Sequence, residues 1–192
     1  MTKVSLNQGI ENILSVYGSG SNEDRKAGRN WYPEANRWCT QQSKELGVSV
    51  KVFAAITAAL SPACRWERNK IDAANLIRFN GNVKVCTYNT NKNKAIAIMR
   101  TGNVGLLSGP KVVAFYNCML QPDIDMVVVD RHAMRIYEGS WEPEGKPVIK
   151  GGVYEKVCEA YRHAASITNE TPAALQASTW TIFRNSLLMK AA

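Results

Sequence analysis

No two of the five cysteines (Cys39, Cys64, Cys86, Cys118 and Cys158) stand in a CxxC pair. Zinc and iron–sulfur ligands come in close pairs, so no metal site is expected, and the chain is assigned no cofactor. An odd number of dispersed cysteines fits a reducing compartment better than a disulfide framework. Strand signals are nearly absent. The opening segment MTKVSLNQGIENIL lacks the apolar core of a signal peptide, and no stretch has the apolar length that spans a bilayer. There is no internal repeat and no low-complexity tract. Together these absences predict a soluble, cytoplasmic protein with no membrane partner.

What is present is positive charge. The 192 residues hold 24 Lys and Arg against 16 Asp and Glu, a net charge of +8 with a pI near 9.3. A balance of this size suggests a polyanionic partner, most often nucleic acid. The plainer alternative is a soluble protein with a basic surface. The length suits one domain, or two small lobes sharing a core, and it buries enough apolar surface to fold without staples.

Helical spacing of apolar residues recurs along the chain. Leu6 to Tyr17 carries Ile10, Ile13, Leu14 and Tyr17 on one face, and the Gly18–Ser21 run ends it. The polar stretch that follows to Arg29 reads as an exposed loop, whose Arg25, Lys26 and Arg29 either touch phosphate or face solvent. Trp31 to Leu46 reads as a helix stopped by Gly47. Ser49 can cap a helix through Val52, Phe53, Ile56 and Ala59, which is Ala-rich, nearly uncharged and therefore central, and Pro62 ends it. Further helices are predicted over about Trp66–Phe79, Asn91–Arg100 and Pro110–Leu120, with a turn at residues 101–105. Met126 to Val129 is a short apolar run predicted to be extended. Asp130 can cap a helix through Tyr137. Ser140 to Gly152 reads as a surface loop, and helices over about Val153–Ile167 and Pro172–Met189 follow. The fold class predicted is all-α, with eight or nine helices in one compact unit.

The segment LLSGPKVVAFYNCMLQPDIDMVVVDRHAMRI, residues 106–136, carries the chemistry. Gly109 and Pro110 set a sharp entry into a helix, since Pro suits a first position whose N–H is unpaired anyway. Lys111 then stands in the first turn, among backbone N–H groups without intrahelical partners, a place suited to a phosphate. The helix dipole there disfavours an ammonium and favours the neutral amine, which is the nucleophilic form. The alternative is a lysine that extends into solvent. Asp130 follows four apolar residues at the start of the next helix. It can be only an N-cap, or a carboxylate that takes a proton or steadies positive charge, and one carboxylate can do both. His132 either binds phosphate or hydrogen-bonds internally. Arg135 pairs with an acidic neighbour or reaches phosphate.

At these residues the sequence resembles the helix-hairpin-helix DNA glycosylase superfamily, which includes endonuclease III and oxoguanine DNA glycosylase. The family's signature is a hairpin ending in Gly-x-Lys, an apolar helix, then Val-Asp-x-His. Here it corresponds to Gly109, Pro110 and Lys111, followed by Val129, Asp130, Arg131 and His132. The separation of Lys111 and Asp130 is that of the catalytic pair in the oxoguanine enzyme and within a residue of that in endonuclease III. Upstream, Ala58-Ala-Leu-Ser-Pro62 with Asn69-Lys70 is similar to the family's Leu-Ser-x-Gln segment. That segment lends a glutamine to the gap left by a flipped base. Ala63 stands at that place here, so Arg65 or Trp66 would have to fill the gap. Leu107 replaces the hairpin's first glycine, and the iron–sulfur cysteines of some members are missing. The resemblance covers roughly residues 50–137. The segments RNWYPEA and LQASTW look similar to phage-encoded proteins of the same superfamily.

The resemblance implies one glycosylase-like domain over residues 1–192, with a central cleft and the hairpin and catalytic segment at about 95–137. It implies a monomer acting on double-stranded DNA in a bacterial or phage-infected cell. Gly109, His132, Arg65 and Trp66 would bind DNA. With the target nucleotide out of the stack, Lys111 would attack the sugar carbon, the base would depart, and a Schiff base would form. β-Elimination would then nick the strand, with Asp130 steadying charge on the sugar. The candidates for stacking the flipped base are Trp31, Tyr32, Trp38, Trp66, Phe115 and Trp180. Two alternatives stand beside this: a phage enzyme modifying DNA bases on the same scaffold, and a DNA-binding module without chemistry.

Overall fold

Ser5 opens the first helix, its hydroxyl accepting the N–H of Gln8 at 3.1 Å, as short polar side chains do at helix starts. The structure, a computed structural model, describes residues 4–140 and 152–191, and the side chains of 188–191 are outside that description. Among the described residues the chain forms nine α-helices and one 3₁₀ turn, with no strand. They are α1 (Leu6–Ser19), α2 (Asn22–Glu45), α3 (Val50–Leu60), α4 (Trp66–Arg78) and α5 (Asn89–Thr101), a 3₁₀ turn at Val104–Leu106, then α6 (Pro110–Leu120), α7 (Arg131–Glu138), α8 (Val153–Thr168) and α9 (Pro172–Ala191). The predicted all-helical class is what the fold shows. Most of the surface loop expected at 140–152 lies outside the described residues.

The chain divides into two compact units. The first joins residues 1–33 to residues 122–192. In it, α1 packs on α7, α8 and α9. Ile13, Ile136, Tyr137, Val157, Tyr161 and Phe183 are buried at its centre. Burial of each such side chain is worth about 1.5–3 kcal/mol. Gly9 lets α1 approach α7, because a Cβ there would lie 2.0 Å from the Tyr137 ring. The run Val127–Val129 is buried but irregular rather than a strand, and the Tyr154 hydroxyl donates to the Val127 carbonyl at 2.9 Å.

The start of α2 corrects the loop expected up to Arg29. Ser21 and Asp24 cap each other's backbone, with the Asp24 N–H on Ser21 Oγ at 3.0 Å and the Ser21 N–H on Asp24 Oδ2 at 3.1 Å. This reciprocal pairing satisfies donors that a helix start leaves open. The Arg25 guanidinium donates to the carbonyls of Tyr17 and Gly20, and Arg29 pairs with Glu170 at 2.7 Å. Neither side chain is simply solvated. At Gly28 a Cβ would meet the Ser178 backbone at 2.2 Å, so this part of α2 lies directly on α9.

The second unit is residues 34–121. Its axis is α3, buried without a break from Phe53 to Leu60, as the Ala-rich sequence predicts. α4, α5, α6 and the 3₁₀ turn all pack on it. Trp38, from the later part of α2, stacks on Phe53 with ring centres 5.1 Å apart. Asn36 Nδ2 donates to the carbonyls of Met119 and Leu120, closing the C-terminal end of α6.

Candidate functional site

Lys111 belongs to the second unit. The segment before it is ordered by local chemistry. Gly102 ends α5 in the left-handed region at φ +69°, and Asn103 Oδ1 accepts the Gly105 N–H at 3.0 Å. Leu107, at the hairpin position where the family has glycine, has ordinary extended backbone at φ −61°. Lys94 Nζ bonds Ser108 Oγ. Gly109 then adopts φ +86°, ψ 133°, a conformation closed to most side chains. Nothing approaches its Cβ position, so the backbone angle rather than crowding requires glycine.

Pro110 opens α6, and no side chain caps it. The first intrahelical acceptor is the Gly109 carbonyl, which takes the Val113 N–H at 3.1 Å. The N–H groups of Lys111 and Val112 precede that bond and have no helical partner. Lys111 itself is half-buried. Among the described residues no carboxylate lies within ion-pair distance of its ammonium. This terminus combines free amide donors with a cation, a combination suited to an anionic group.

Asp130 belongs to the first unit, and its terminus is built differently. Oδ1 accepts the N–H groups of His132 and Ala133 at 2.8 and 2.9 Å, and Oδ2 accepts the Trp180 indole N–H at 3.1 Å. The predicted cap is present, and the carboxylate is held at both oxygens. The His132 ring packs on Phe183 and Trp180, with centres 5.7 and 6.3 Å apart. Its Nδ1 is buried with no hydrogen-bond partner. Burial pushes the His132 pKa down; Asp130 pulls it up, while Arg131, Arg135 and Arg184 push it further down.

Trp180 is the hub of this second cluster. Arg184 lies over its ring at 4.6 Å, and Trp31 meets it edge-on at 6.5 Å. Sequence reasoning included Trp31 and Trp180 as aromatics but did not single out Arg184. A spacing of four residues on one helix was its available signal.

Of the remaining predicted residues, Ala63, Arg65, Trp66, Trp38 and Phe115 lie in the second unit, and Tyr32 lies in the first. Arg65 is exposed and precedes α4 without a side-chain cap. Trp66 packs edge-on against Trp38 and Phe115, at 5.3 and 6.2 Å, with Lys70 over its ring at 5.7 Å. Ala63, where the family places its glutamine, is in the left-handed region at φ 58°. Tyr32 is buried and donates to Gln176 in the first unit. One hollow is lined by Asn36, Arg37, Thr40 and Lys44, and another of about 110 Å³ by Asn12, Arg135 and Phe183. Neither includes Lys111 or Asp130. Among the described residues no three His, Cys, Asp or Glu side chains are grouped to hold a metal ion, and no helix is long and apolar enough to cross a membrane.

A family model matches residues 1–187, and the chain belongs to that family, described as a family of unknown function, DUF7178. No curated protein and no solved structure matches it.

Proposed function

We propose that this chain is a DNA glycosylase with abasic-site lyase activity, in which Lys111 is the nucleophile. The observation that carries the reading is the first turn of α6. A half-buried lysine stands there behind a glycine at φ +86°, with no carboxylate paired to it among the described residues. The net charge of +8 supports a polyanionic substrate. The sequence resemblance supplies the reaction class.

In this reading double-stranded DNA presents a flipped nucleotide. The Lys111 amine attacks C1′, and the C1′–N bond to the base breaks with its electron pair leaving on the base. The sugar ring opens to a Schiff base on Lys111. Loss of a C2′ proton then expels the 3′ phosphate. Asp130 steadies positive charge on the sugar, and Gly109, Arg65, Trp66 and His132 hold the duplex. The monomer, the cytoplasmic setting and the hairpin with its cleft belong to the same proposal.

The full structural engagement of Asp130 favours a second reading, a DNA-binding module without chemistry. Its oxygens already accept three donors. Borohydride reduction in the presence of duplex DNA with an abasic site separates the two. The first reading expects a covalent protein–DNA adduct that disappears in Lys111→Ala. DNA binding without any adduct would overturn it in favour of the second. A panel of damaged and modified bases then tests whether the substrate is a lesion or a phage-type modified base.

A further inference from the structure

Cys64 and Cys86 are far apart in sequence but adjacent in the second unit. Cys64 lies in the loop between α3 and α4, and Cys86 in the segment before α5. The two stretches are tied by Thr87 Oγ1, which donates to the Pro62 carbonyl at 2.8 Å. The Cys86 N–H is fixed from below by Asp72 Oδ2 at 2.7 Å, and Asp72 is itself buried and held by Arg68. The Cys64 thiol donates to the Arg65 carbonyl at 3.5 Å, Cys86 is near enough to raise its pKa, and both cysteines are reduced. Cys86 is exposed and Cys64 half-buried, whereas Cys39, Cys118 and Cys158 are buried.

We infer that Cys64 and Cys86 form a reversible dithiol–disulfide site that exchanges with low-molecular-weight disulfides of the glutathione class. The exposed Cys86 thiolate attacks one sulfur of the small disulfide. A bond forms from Cys86 to that sulfur, and one small thiolate leaves and takes a proton. Cys64 then loses its proton and attacks the Cys86 sulfur of the mixed disulfide. The second small thiol departs, and the Cys64–Cys86 bond remains. Two protein thiols are oxidised, and one small disulfide is reduced to two thiols.

The surroundings set the order of attack. Burial, and then the charge and hydrogen bond of Cys86, push the Cys64 thiol up to about 12. Cys64 is therefore held as the thiol while the more exposed Cys86 reacts first, and capping Cys86 removes the neighbour that holds Cys64 protonated. The closed form fixes covalently the loop that holds Ala63 at φ 58° and leads into Arg65 and Trp66. The inference does not depend on the DNA reading.

The test is to equilibrate the full chain with mixtures of oxidised and reduced glutathione, quench with acid, alkylate, and map peptides by mass spectrometry. The expected wild-type product has lost two hydrogen atoms and yields one linked peptide pair joining Cys64 to Cys86. In Cys64→Ser, glutathione should accumulate on Cys86 about tenfold or more above wild type, because the second exchange is intramolecular. Wild-type Cys86 that carries glutathione as heavily as the variant would overturn the proposal. So would linkage of Cys86 to another cysteine or to a second chain. The wild-type map decides alone if a variant fails to fold.

Discussion

The starts of α6 and α7 differ in one respect that bears on function. At α7 the Asp130 carboxylate accepts two backbone N–H groups and an indole N–H, so the terminus is closed by its own sequence. At α6 the N-cap is Gly109, which offers no side chain, and the first turn carries a cation instead of an acid. Closing a helix start with a carboxylate stabilises it, and leaving it open with a lysine does not. The α7 terminus therefore has a sufficient structural account. The α6 terminus has none, and this makes it the better candidate for binding an anionic ligand.

The largest expected effect comes from opening the closed end. Asp130→Ala removes the cap and strands the Trp180 N–H, at a cost of about 1–3 kcal/mol in urea unfolding. Asp130→Asn keeps a capping oxygen but turns an amide NH2 toward the Trp180 N–H, so it should recover only the capping part of that cost. A loss in Asn equal to that in Ala would show that the charge and the Trp180 bond, not the cap, hold this end. If Asp130 also steadies a sugar cation, the Asn variant should fold and bind abasic DNA yet form little adduct.

Closing the open end is the next test. Lys111→Glu places an acid at the positive end of α6 and should stabilise the chain by about 0.3–1 kcal/mol while abolishing the borohydride adduct. A destabilised variant would mean that the Lys111 side chain contributes packing or pairing of its own.

The smallest effect is on pH. His132 titrates lower in the folded chain than its ordinary value of 6.5, chiefly through burial. The unfolded chain therefore binds the proton more readily. Stability from the neutral ring is complete above about pH 6.5 and is lost as pH falls from there through the lower folded value. Urea midpoints between pH 8 and pH 5 should fall with this slope in the wild type and flatten in His132→Gln. An unchanged slope would move the effect to other groups.

Much of this contrast is legible in the sequence. Pro110 after a glycine marks the start of α6, and Asp130 after Val127–Val129 marks that of α7, because both signals are local. The buried α3 is equally plain from its uncharged run. The first part of α2 is not, because residues 22–30 have no apolar stripe. Its order comes from Arg29 on Glu170 and from Gly28 against Ser178, partners some 150 positions away in the chain. The Ser21-x-x-Asp24 pattern was the one local signal for it. The adjacency of Cys64 and Cys86 and the placing of Arg184 over Trp180 also follow from packing, which spacing alone does not reveal.

The discontinuity of the first unit has a consequence for synthesis. α1 leaves the ribosome well before the helices that cover it, which begin only at Arg131. Residues 34–121 are all available before those helices exist. Domains generally fold as units during translation. The inner unit therefore has its whole sequence in hand early. The apolar face of α1, with Ile10, Ile13 and Leu14, is fully covered only once α7, α8 and α9 have all emerged. Apolar surface left open in this way is what makes an incomplete chain prone to aggregate.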